Sequence, residues 1–272
     1  MITTLVVAVL ALAAGIAANR FLRPRLIGDD DGEGMGVRDL VGPLMTLTIL
    51  ILAFMLVTAS SSNGRADDAA RSEAHALDHL AEVADFAPPA MRERLRADAV
   101  CYARAVRHKE WPAMGEGKSS SVPSVWSRDF RSTFKDLGTG DPTFGLLVAA
   151  DNQRSLGRQA RMAEATPTVP GLIYWFMLLT LVITVVGLGL CLPRRNNKGQ
   201  FAALVVVTAL LTTTLLIIRD VDRPFGGVIV VDSAQMAGVE EESTHDFLQD
   251  YKADRLPCDE QGQAKQPPGA RR

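Results

Sequence analysis

Charge is missing from long parts of this sequence. Between Leu172 and Ile218 every charged residue falls in one knot, Pro193-Arg194-Arg195-Asn196-Asn197-Lys198-Gly199-Gln200, and the runs on either side carry none. Leu5–Ala18 and Leu40–Ala59 are equally free of charge. Surface helices of a soluble protein need a polar face, so such runs exclude an ordinary soluble fold. Excess charge of one sign is lacking too: the net charge is −2, which excludes the electrostatic footprint of a nucleic-acid binder. Cysteine is scarce, with Cys101, Cys191 and Cys258 in an odd count and no CxxC pair. No nucleophile stands beside a base, and there is no phosphate-cradling glycine loop or paired-carboxylate site. The sequence therefore predicts neither an enzyme nor a cofactor-binding protein.

What is present is a membrane pattern. About 20 apolar residues in a helix cross about 30 Å of hydrocarbon, and four runs approach that length. The first is followed, not preceded, by Arg20, Arg23 and Arg25, the reverse of a cleaved signal. The second opens with Gly42-Pro43, acceptable in a first helical turn. The expected architecture is an all-α integral membrane protein with four transmembrane helices and a helical extramembrane domain between the second and third. It divides into 1–59, a first transmembrane pair; 60–171, the helical segment; 172–218, a second transmembrane hairpin; 219–260, an exit motif and tail; and 261–272, a disordered end of Gln, Pro, Gly and Arg. The expected location is the cell membrane, with the lipid bilayer as the surrounding medium. Basic residues in short loops (Arg20, Arg23, Arg25 and Arg38; Arg194, Arg195 and Lys198) place loops one and three in the cytoplasm, and hence the middle segment outside.

The middle segment reads as helices. From Ala66 the second span continues as an amphipathic helix, with Ala70, Ala74, Leu77 and Ala84 on one face, until Pro88-Pro89. A helix carrying Met91, Leu95, Tyr102 and Val106 follows and is expected to stop at Glu110-Trp111-Pro112. A stripe of Val122, Trp126, Phe130, Phe134 and Leu137 predicts another helix, Gly138 to Pro142 a turn, and Leu146 to Met162 a last helix. Trp111 and Trp126 read as caps on a bundle core, and Tyr174-Trp175 as headgroup-belt residues. His75, His79 and Glu82 share a helix face and could meet one metal ion, but nothing supplies a further ligand, and no metal site is expected. Asp29-Asp30-Asp31 and Glu240-Glu241-Glu242 read as solvated loop. Cys191 reads as an inert thiol at a span end. Cys101 and Cys258 fall on one side of the membrane, so a disulfide and two separate thiols are both open.

The last run ends at Arg219-Asp220-Val221, and Asp222, Arg223, Pro224, Phe225, Gly226 and Gly227 form an exit motif. Pro224 fixes the backbone where the helix must stop, and the glycines permit a turn. Val228 to Val231 reads as a short strand or extended contact. Four stretches in order carry a family resemblance: Arg71 to Glu82 with Glu73 and Leu77, Tyr102 to Met114 with Glu110-Trp111-Pro112-Ala113-Met114, Arg158 to Ala165, and Asp222 to Gly227. By them the chain resembles the bestrophin-like family of bacterial membrane proteins, a family known as a domain of unknown function. Its Pro-Phe-Gly step is similar to one in true bestrophins, which are pentameric anion channels. In those an acidic run that helps bind calcium comes next; here valines follow, so calcium gating is not carried over. The resemblance implies a cytoplasmic middle segment, opposite to the charge rule.

Together these readings predict a homo-oligomeric, channel-like protein passing small inorganic ions. With no ionisable residue in the spans, Thr46, Thr48, Thr212, Thr213 and Thr214 are the candidates for lining a pathway. The alternative is a non-conducting scaffold or sensor whose helical segment binds a partner. Threonines in spans also bond back to their own helix or glue neighbouring helices.

Overall fold

Only a helix or a closed barrel satisfies every backbone polar group in hydrocarbon, so an uncharged run of this length has one solution. The computed structural model of the protein describes residues 2–22, 37–192 and 198–265. Its helices are α1 (Ile2–Phe21), α2 (Val37–Ala84), α3 (Pro89–Ala105), α4 (Trp111–Gly115), α5 (Val122–Leu137), α6 (Phe144–Ala163), α7 (Gly171–Cys191), α8 (Lys198–Val221) and α9 (Ala234–Asp250). Among the described residues there is no strand, and α1, α2, α7 and α8 are long and apolar enough to cross a membrane. The fold is the expected all-α membrane protein. Arg23, Arg25, Asp29-Asp30-Asp31, Arg194 and Arg195 lie outside the described residues.

The chain forms two compact units, Met1–Ser61 with Pro167–Asp222, and Ser62–Thr166 with Arg223–Arg272. The first contains the apolar runs. Its core joins Ala8, Ala11, Leu52, Ala59, Met177, Leu181, Val185, Leu211, Leu215 and Ile218. Lipid supplies no hydrophobic drive between helices, so close backbone approach and polar glue must do this work. Both are present. A Cβ built on Gly189 of α7 would lie 2.7 Å from the carbonyl oxygen of Gly15 on α1, so these helices meet backbone to backbone. Asn19 donates to the carbonyls of Gly189 and Leu192 at 2.7 and 2.8 Å, tying α1 to the end of α7. Thr48 and Thr184 hydroxyls meet at 2.8 Å, and Thr4 meets the Tyr174 hydroxyl at 2.5 Å. Trp175 is exposed.

The second unit is a helical bundle around α3, whose residues from Ala99 to Ala103 are buried without a break. Its core takes Leu77 and Leu80 from α2, Leu95 and Tyr102 from α3, Trp126, Phe130 and Phe134 from α5, Leu147 from α6 and Met236 from α9. Trp126 thus sits in the core, and its indole donates to the Gly262 carbonyl at 2.8 Å.

Four expectations need correction. The helix carrying Tyr102 does not stop at Glu110-Trp111-Pro112. A π-turn over Val106–Glu110 shifts the hydrogen-bond register, Trp111 N donates to Val106 O, and Pro112 falls in the first turn of α4, where its missing N–H costs nothing. Val228 to Val231 forms no strand: Val231 N donates to Pro224 O at 2.7 Å, closing a compact turn instead. Glu240-Glu241-Glu242 is not loop but part of α9, which buries Met236, Val239, Ser243 and Phe247 at helical spacing. Glu240 there lies 3.1 Å from Arg107 and 3.5 Å from Arg104. Finally, the end expected to be disordered, 261–272, is folded over 261–265, and 266–272 lie outside the described residues. Cys258 pairs in a bridge with Ala264, Lys265 N donates to Pro257 O, and a Cβ on Gly262 would collide with the Ala105 backbone.

The two open cysteines are joined. Cys101 on α3 and Cys258 in the tail form a disulfide, both buried, across 157 residues of sequence.

Candidate functional site

Burying an ion in a protein interior costs several kcal/mol unless a partner and further hydrogen bonds compensate. The second unit buries several ions in one place. Asp151, Arg154, Arg158 and Arg161 recur at three and four along α6, so one face of that helix is charged. That face is turned inward: Arg154 and Arg161 are essentially inaccessible to solvent.

Arg161 is the centre. Its Nε donates to Glu73 Oε2 at 2.5 Å, its Nη2 to Glu110 Oε2 at 2.6 Å, and its guanidinium carbon lies 4.9 Å from the Trp111 ring centroid. Its third nitrogen faces the Met114 sulfur. Arg158 donates to the other Glu110 oxygen at 2.5 Å, and the Tyr102 hydroxyl donates to Glu73 Oε1 at 2.6 Å. Glu73 and Glu110 are both fully buried, and with Arg158 and Arg161 they make a charge-balanced set. Burial pulls the Arg161 guanidinium down, but the Glu73 and Glu110 charges more than offset it and hold the group above its ordinary value. Burial, with the Glu73 charge adding to it, raises the Tyr102 phenol, so it stays a donor. Next to this set, Arg154 donates to Asp151 at 2.9 Å and lies over the Tyr102 ring, 4.3 Å from its centroid.

This cluster meets the exit motif. Trp111 packs edge-on against Phe225, with centroids 5.4 Å apart, and its indole donates to Val231 O at 3.1 Å. A Cβ on Gly115 would lie 2.7 Å from Phe225 O, so the turn at Phe225-Gly226 touches α4 directly. Ala66, Ala70, Met114, Phe225 and Val231 form the small core beneath it. Arg223 and Gly226 close the turn by Gly226 N donating to Arg223 O at 3.0 Å. Asp222 belongs to the first unit, where one carboxylate oxygen accepts from the amides of Thr168 and Val169, each at 2.9 Å. Gly157 shows how closely the elements fit: its Cβ would fall 2.8 Å from the Glu73 Cα.

The other residues singled out in the sequence are scattered. Thr46 donates to Gly42 O, Thr48 to Leu44 O, Thr212 to Thr208 O and Thr214 to Leu210 O, the usual back-bond of membrane helices. Thr48 and Thr212 are buried within the unit, whereas Thr46 and Thr213 are exposed. His75 and His79 are exposed, the latter 3.5 Å from Glu82. Sequence reasoning assigned no role to Asp151 and Arg154. Their signal was the three-four-three spacing of charges on α6, which reads equally as a solvated face.

A family profile described as the Bestrophin-like domain matches residues 6–236. A crystal structure of a bacterial bestrophin homolog from Klebsiella pneumoniae, phased with zinc, superposes with a TM-score of 0.66 at 15% identity, covering 92% of this chain and 99% of the other. A mutated form of that homolog gives a TM-score of 0.67 at 15% identity, over 91% and 96% of the two chains. At that identity the likeness is one of fold. No curated protein sequence matches. The matched profile takes in the four spans, the buried ion cluster and the exit motif, and the chain belongs to the bestrophin-like family.

Proposed function

We propose that the protein is one subunit of a homo-oligomeric, anion-channel-like assembly. The observation that carries this reading is the burial of α2. In its most apolar stretch 11% of residues are buried within the subunit, against 33% in α7 and in α8. A helix so little covered by its own chain is the one available to face other subunits and a pathway. Leu146 and Leu156, exposed on α6 of the second unit, add apolar surface suited to a neighbouring copy. Thr46, exposed on α2, then lines the path, with Thr213 and Thr214 on α8 as further candidates; Thr48 and Thr212 serve helix packing. Hydroxyls and apolar constrictions in uncharged spans suit an anion better than a proton relay. The test is mass in mild detergent together with chloride flux in reconstituted vesicles. An oligomer whose flux changes on Thr46→Ala is expected; a monomer, silent in the flux assay, overturns the reading.

We also propose that the second unit lies on the extracytoplasmic side. Disulfides persist in oxidising compartments and are rare in the cytosol, and the Cys101–Cys258 link lies in this unit. The loop charges point the same way. Alkaline phosphatase fused after the C-terminus should be active in a bacterial host. A fluorescent cytoplasmic reporter at that position, with inactive phosphatase, overturns the orientation.

A further inference from the structure

One buried acid has no counter-ion. Asp98 on α3 is fully buried, and neither carboxyl oxygen accepts a hydrogen bond from any donor. It lines a cavity of about 320 Å³ with Ala90, Glu93, Arg94, Asp129, Arg255 and Pro257. The charged groups around it are otherwise engaged. On its own helix, Arg94 gives its guanidinium to Asp129 and Asp136 of α5, and Glu93 is held at 2.7 Å by Arg255 of the tail. Arg96 is occupied by Asp85, which follows α2, and by Asp250 of α9. What remains opposite Asp98 is the half-buried carboxylate of Asp129, and a fully buried carboxylate cannot ionise cheaply beside a second one.

We propose that Asp98 and Asp129 form a proton-binding carboxyl pair at the seam of α3 and α5, holding one shared proton at neutral pH, and that its loss in alkali loosens this seam. The geometry supplies each part. The proton lets Asp98 donate to Asp129, which gives the buried Asp98 carboxyl the partner it lacks. Its removal leaves two negative charges against one guanidinium that already serves two aspartates. Burial first, then the Asp129 charge, push the Asp98 carboxyl up to about 9, with Arg94 opposing. The seam is a sensitive place. Cys101 and Tyr102 lie one turn beyond Asp98, and Trp126 on α5 bonds the tail at Gly262.

The test uses the full chain in detergent with its disulfide intact. The infrared difference spectrum between pH 7 and pH 10 should show loss of a protonated-carboxyl C=O band in wild type and not in Asp98→Asn. Melting temperature should fall across the same range in wild type and stay level in Asp98→Asn. Asp129→Asn, which removes the like charge, should shift the midpoint of the band loss towards neutral pH. Should Asp98→Asn fail to fold, wild type and Asp129→Asn still decide the matter. A wild-type spectrum without a titrating carboxyl band overturns the proposal, as does an unshifted midpoint in Asp129→Asn or an unchanged pH profile in Asp98→Asn.

Discussion

Replacing Arg161 by Met tests whether the buried ion cluster holds the second unit together. The side chain is fully buried and touches Glu73 at 2.5 Å and Glu110 at 2.6 Å. Met fits the volume and removes the charge, so two buried carboxylates face Arg158 alone. Removing one partner of a buried pair costs about 3–5 kcal/mol, because the remaining charge stays desolvated. Arg158 still compensates Glu110, which puts the loss at about 3 kcal/mol, the low end of that range. For a domain of this size that is a drop of about 10 °C in melting temperature. Thermal unfolding in detergent, followed by tryptophan fluorescence, reads it directly, since Trp111 packs on the Arg161 guanidinium. The double variant Glu73→Gln, Arg161→Met removes the orphaned charge along with its partner and should recover more than half of the loss. Arg161→Lys should fall between, because an ammonium cannot reach both carboxylates as the planar fork does. A melting temperature for Arg161→Met within about 2 °C of wild type would refute the reasoning, since it would place the loss below about 1 kcal/mol. So would a double variant no better than the single one.

Gly189→Ala should destabilise the membrane unit sharply, because its Cβ meets Gly15 backbone that cannot yield without parting α1 from α7, whereas Gly199→Ala, with nothing within 4 Å, should be neutral; melting temperatures of the two variants compare them. Cys101→Ser and Cys258→Ser should each cost about 2–5 kcal/mol, the double variant no more than either, and a reductant should lower the wild-type melting temperature alone. The pH dependence follows from Asp98. The native state keeps a proton that the unfolded chain releases near pH 4, so this contribution is fully present below pH 4 and is lost as pH rises towards 9, by at most about 1.4 kcal/mol per pH unit. Asp98→Asn removes that slope, which denaturant melts at pH 6, 7 and 8 would show.

The membrane helices were plain in the sequence because their signal is an absence: a run without charge has few other folds open to it. The helical unit was half legible. Periodicity found α5, where Trp126, Phe130 and Phe134 recur at four, yet the same spacing in Met236, Val239, Ser243 and Phe247 was hidden behind three glutamates that read as solvated. Asp98 left no trace, being one more acid in a helix crowded with Arg, Glu and Asp; only the fold shows that Arg94 and Arg96 are occupied elsewhere. The same limit applies to the ion cluster. Periodicity judges each helix alone, and on α6 taken alone three arginines at three and four are a water-facing stripe. They become an interior only when Glu73 from α2 and Glu110 from the π-turn reach the same point, 88 and 51 residues away in sequence. The stretches that mark the family, Arg71 to Glu82, Tyr102 to Met114 and Arg158 to Ala165, are the ones that supply these charges. Each is weak as a pattern because its charged residues make physical sense only in the presence of the others. A helix that turns Arg158 and Arg161 inward can fold only where Glu110 and Glu73 arrive with it, which makes the order of these stretches along the chain a sturdier sign of this fold than any single motif.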